Sequence, residues 1–160
     1  MMGLLNLKGT ITALGQSQFD NVATIYAYIE ITEASGRRIL IDKVAVANDT
    51  AALLAMGSVG EFFFDQMFVY GRRYHYQLWG IKAENMAVID RVDARKMVMI
   101  HHIIIGTLLL PIGGIGAFWL LPGLGHLVTI LSGRVNRDSL FYGSNPVEIR
   151  RLQQQQAVRI

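Results

Sequence analysis

Residues Met97 to Gly133 read MVMIHHIIIGTLLLPIGGIGAFWLLPGLGHLVTILSG and contain no Asp, Glu, Lys or Arg. Basic residues border the run, with Arg91, Arg95 and Lys96 before it and Arg134 and Arg137 after it. A hydrocarbon core about 30 Å thick takes roughly 20 apolar residues as a helix. A charge-free run of 37 residues in a chain of 160 therefore predicts a membrane anchor. Two arrangements satisfy the pattern. One is a single helix over 97–121, kinked at Pro111. The other is a membrane-embedded helical hairpin over 92–133, with helices at 92–110 and 117–132 and a turn through Pro111, Gly113, Gly114 and Gly116. Two helices in this length lie near the short limit for a span. A hairpin, however, keeps all five border cations on one side, as the positive-inside bias prefers, and it is the expectation here. Gly106, Gly113 and Ala117 would fall near one helical face, where small residues let helices approach closely.

Working outward toward the N-terminus, the pattern changes from apolar runs to alternation. Residues 21–33 place Ala23, Ile25, Ala27, Ile29 and Ile31 on one face and Thr24, Tyr26, Tyr28, Glu30 and Thr32 on the other. That period of two is a half-buried strand. Residues 4–14 and 38–47 read as strands before and after it, separated by turns at 15–18 and 34–37. Asn48, Asp49 and Thr50 then cap a short helix that Gly57 stops, and strands over 59–68 and 73–82 follow. Three strands, a short helix and two strands is the element order of an OB-like barrel. The expected fold class is thus a small all-β domain over 1–91, the hairpin over 92–133, and a basic tail over 134–160. In that tail Asn145, Pro146 and Glu148 supply a cap, a first-turn Pro and an N3 acid for a short C-terminal helix. So short a helix needs a lipid or partner surface to lie on.

Charge is unevenly distributed. Residues 1–90 hold seven basic side chains against nine acidic ones, whereas both borders of the apolar run are basic. Flanking charge of this kind suits anionic headgroups and retention on the cytoplasmic face. The N-terminus lacks a basic leader and an apolar run of signal-peptide length. The expected location is therefore the inner (cytoplasmic) membrane, with the β domain and tail facing the cytoplasm. With no Cys in the chain, disulfides and thiolate metal sites are excluded.

No catalytic motif is present. Gly57-Ser58-Val59-Gly60 lacks the residue that a nucleophile elbow places between its first Gly and Ser. Neither a His-Glu-x-x-His run nor a phosphate-binding Gly-Lys-Ser/Thr loop occurs. Glu61 and Asp65 read as solvated strand positions. His101, His102 and His126 are the ionisable groups of the apolar run, and such groups are candidates for haem, metal or substrate contact. Adjacent helical histidines point about 100° apart and cannot easily share one metal, so interfacial histidines are the plainer expectation and no cofactor is assigned. The aromatics of 62–79 with Arg72, Arg73 and Lys82 could stack single-stranded nucleic acid, but an acidic domain lacks the basic groove that such binding requires. The residues singled out for partner binding are Arg72, Arg73, Tyr74, Tyr76 and Trp79. The expected function is a non-enzymatic accessory or scaffold subunit that positions partner proteins at the membrane. Its partners would be lipids and either other membrane-complex proteins or further copies of this chain. A membrane redox or transport subunit and a nucleic-acid tether are the alternatives.

Overall fold

The computed structural model describes residues 3–19, 21–68, 75–84, 86–90 and 92–157. Among the described residues seven strands occur, in chain order β1 (Leu4–Leu14), β2 (Ser17–Phe19), β3 (Ala23–Thr32), β4 (Arg38–Ala47), β5 (Val59–Gln66), β6 (Tyr76–Ala83) and β7 (Met86–Ile89). The short helix α1 (Asn48–Ala51) sits between β4 and β5. β1 pairs with both β3 and β5, β3 pairs with β4, and β6 joins β4 to β5, so five strands close a barrel. The β4–β6 pairing is parallel and the other four are antiparallel. Closure leaves no open edge among these five strands. β2 extends β3, and β7 extends β6.

The barrel interior is aliphatic and aromatic: Leu7, Ile11, Ile29, Ile31, Ile41, Val44, Val46, Phe62, Phe64, Leu78 and Ile81 are all buried there. The alternating face read from the sequence holds for Ile29 and Ile31. Farther up β3, Tyr26 packs against the core from the other face, and Ala27 is exposed. A second cluster lies outside the barrel, where Phe63 and Trp79 meet Phe141 and Leu152.

After the barrel come α2 (Ala94–Leu109), α3 (Ala117–Leu131), α4 (Arg137–Tyr142) and α5 (Pro146–Ala157). α2 and α3 pack along each other as a hairpin. Pro111, Gly113 (φ +58°) and Gly114 (φ +77°) turn the chain between them, and the two glycines take up left-handed backbone at no steric cost.

Three expectations are corrected. The first is the membrane-embedded hairpin: among the described residues no helix is long and apolar enough to cross a membrane. At a rise of about 1.5 Å per residue, 16 and 15 residues span about 24 and 22 Å, short of the roughly 30 Å hydrocarbon core. The first turn of α2 is also committed elsewhere, because Ala94, Arg95 and Val98 are buried at the barrel. The second correction concerns element content. The expected order of three strands, one helix and two strands becomes four strands, one helix and three strands, since Ser17–Phe19 and Met86–Ile89 each pair on their own. The third concerns the tail, which contains two helices and lies on the barrel. α5 starts as the sequence predicted, with Asn145 Oδ1 accepting from the Val147 N–H at 3.0 Å. The surface it needs is supplied by the chain itself, because Leu152 packs at 2% exposure into the Trp79 cluster.

Candidate functional site: a charge cluster beneath an apolar hairpin

Asp65 and Gln77 are register partners on β5 and β6. Both are buried, at 0% and 3% exposure. A buried carboxylate needs cations and donors to replace lost water. Two arginines provide them. Arg95, on the first turn of α2, grips Asp65 bidentately: Nε donates to Oδ2 at 3.0 Å and Nη2 to Oδ1. Its Nη2 also donates to the Gln66 carbonyl at 2.7 Å. Arg137, opening α4, donates from Nη2 to Asp65 Oδ2 at 3.3 Å and to Gln77 Oε1 at 2.8 Å. Gln77 in turn donates through Nε2 to Asp90 Oδ2 and to the Val92 carbonyl, each at 2.9 Å.

His126 completes the cluster from α3. Its Nε2–H donates to the Phe68 carbonyl at 2.7 Å, which leaves Nδ1 as the acceptor facing Arg95 Nη1 at 3.4 Å. Burial pushes the His126 pKa below 6.5, helped by the positive charge of Arg95 and by His102; the Phe68 carbonyl and Asp65 pull the other way. Asp90 moves up from 3.8, chiefly through burial, against hydrogen bonds from the Val92 N–H and Gln77 and the charge of Arg137. His102 is buried between the helices, with its Nδ1 on the Val98 carbonyl at 2.8 Å and its ring 6.1 Å from that of His126. Its neighbour His101 is exposed. Among the described residues no three metal-ligating side chains come together. Chemically, the cluster is a joint: its side chains hydrogen-bond to one another and to the Gln66, Phe68 and Val92 carbonyls, tying β5, β6, α2, α3 and α4 together.

No family model matches this chain, and no curated protein and no solved structure matches it either.

Five of the eight residues singled out from sequence lie within the described residues. Arg72, Arg73 and Tyr74 lie outside the described residues. Tyr76 is half-buried, and its hydroxyl accepts from Gln66 Nε2 at 2.9 Å. Trp79 is fully buried, its ring centroid 5.3 Å from Phe63 and 6.1 Å from Phe141, with the Arg137 guanidinium 5.4 Å above it. Gly106 lies in the contact between the helices, where an added Cβ would fall 2.7 Å from the Leu120 backbone nitrogen. Gly113 lies in the connecting turn, with nothing within 4 Å of an added Cβ, and Ala117 opens α3. Gly116 and Gly123 also make close approaches to α2.

Sequence reasoning missed Asp65, Gln77, Arg95 and Arg137 as a group. Asp65 did carry a signal: it follows Phe62-Phe63-Phe64 in a strand that is apolar on both faces. An acid there requires a buried cation.

Proposed function

We propose that this chain is a non-catalytic module that binds a lipid surface through the outside of its hairpin, without crossing the bilayer, and presents its barrel to partner proteins. The observation carrying this reading is the chemistry of the hairpin's exterior. Ile104, Leu108, Phe118, Leu121, Val128 and Leu131 are each more than half exposed. Leu110, Ile112 and Ile115 expose the tip as well. Soluble proteins rarely leave contiguous apolar area of this kind uncovered. A single protein partner would cover one side, whereas here both helices and the tip are apolar, which suits a fluid apolar phase.

The hairpin's hydroxyls add to the case. Thr107 donates to the Ile103 carbonyl at 2.8 Å, Thr129 to Gly125 at 2.8 Å and Ser132 to Thr129 at 2.9 Å. Side chains satisfied within their own helix need no water, as an apolar environment demands. Lys96 and Arg134, exposed at the hairpin's base, fit anionic headgroups. The non-catalytic part of the reading is supported by the charge cluster, whose groups are engaged in holding elements together.

Flotation of the full chain with phosphatidylcholine–phosphatidylglycerol vesicles tests the reading. The chain is expected to float with the vesicles, and an Ile104→Glu, Leu121→Glu double variant to bind at least about tenfold more weakly. A wild-type chain that stays with the soluble fraction, or a double variant that floats equally well, would contradict it.

A further inference from the structure

The hairpin makes its main contacts within itself. Among the described residues α2 and α3 meet the barrel at their base, through four features, the first being the Ala94 N–H, which donates to Gln77 Oε1 at 3.3 Å. Ala94 and Val98 pack on Met67. Arg95 is paired with Asp65. His126 reaches the Phe68 carbonyl just beyond β5. Two of these four attachments run through ionisable side chains, and they touch each other, Arg95 Nη1 to His126 Nδ1. We infer that Asp65, Arg95 and His126 form a proton-sensitive latch, which seats the hairpin on the barrel at neutral pH and releases it when His126 takes up a proton.

The hydrogen-bond geometry makes the contact depend on one protonation state. With Nε2–H committed to the Phe68 carbonyl, Nδ1 must be unprotonated to accept from Arg95. A proton on Nδ1 turns that contact into two facing donors carrying like charge. Of the other ionisable groups facing the ring, only Asp65 favours the proton, and only in part. Asp65 is already neutralised by Arg95 and Arg137, while His102 across the helix contact opposes further positive charge. The sign of the pH dependence follows. The seated state holds His126 neutral with a pKa below 6.5, so seating is complete above that value and is lost as pH falls through the lower one.

The latch bears on the lipid reading, since it sets how the hairpin is aimed, but it is tested without lipid so that each can fail alone. The absence of Cys allows clean double labelling of the full chain. Spin labels on Ser35→Cys, in the exposed β3–β4 turn, and Leu108→Cys, near the hairpin tip, report the barrel-to-hairpin distance. One narrow distribution is expected near pH 7.5, broadening about twofold or more as pH is lowered stepwise below 6.5. In a His126→Gln background the distribution is expected to stay narrow at both. An unchanged wild-type distribution, or equal broadening in the Gln variant, overturns the latch. If the Gln variant does not fold, titration of the ¹⁵N-labelled ring of His126 in the wild-type chain decides. A midpoint below 6.5 that coincides with the distance change supports the latch, and a midpoint at or above 6.5, or one apart from the distance change, overturns it.

Discussion

Asp65 follows three phenylalanines on a strand whose surroundings leave no water around its carboxylate, so its charge is balanced within the protein by Arg95 and Arg137. Such a triad adds little net stability as formed, yet removing one member strands the rest. Asp65→Asn leaves two guanidinium groups facing a neutral amide and is expected to cost about 3–5 kcal/mol in urea unfolding. Asp42→Asn, at an exposed position on β4, should change stability by no more than about 0.5 kcal/mol in the same assay. Equal losses for the two variants would contradict the assignment of Asp65 as the centre of the cluster. From the sequence Asp65 reads as a solvated strand position; the three phenylalanines before it are the one local sign of burial, and nothing local names its partner. Arg95 and Arg137 sit at the borders of an apolar run, where local pattern alone assigns them to headgroups. Ion pairing across 30 and 72 residues leaves no trace in spacing.

At the scale of elements, local chemistry carried furthest where one face or one cap decides the outcome. The β3 alternation at Ile29 and Ile31, the turn at Pro111 to Gly116 and the Asn145 cap of α5 all correspond to observed features. α4 was missed, because its six residues offer no period. Its place is set by Phe141, which fills the space that Gly80 leaves open on β6; a Cβ at Gly80 would lie 3.0 Å from the Phe141 ring. Hairpin packing rests on a similar vacancy. Gly106→Val would push into the Leu120 backbone and is expected to destabilise the helix pair by about 1–3 kcal/mol. Hydrogen exchange should quicken across α2 and α3 in that variant while the amides of β1 and β5 stay protected. Faster exchange throughout the barrel, or none anywhere, would count against a hairpin whose packing is its own.

On the scale of the whole molecule, the chain is a closed barrel carrying an apolar hairpin on a polar joint. Composition made the hairpin's apolar character plain, but not its reach. Helix length is cut by the turn at one end and by burial of the first turn of α2 at the other, and only the folded chain contains both limits. Under the proposed function the hairpin's outside meets lipid and the barrel does not. This is tested most directly by paramagnetic accessibility of single spin labels at Phe118→Cys, on α3, and Met56→Cys, on the barrel, both strongly exposed in the protein alone. With vesicles added, the label at 118 should gain collisions with oxygen and lose them with a water-soluble nickel complex, while the label at 56 keeps its aqueous profile. Two aqueous profiles, or two lipid-like ones, would contradict the account.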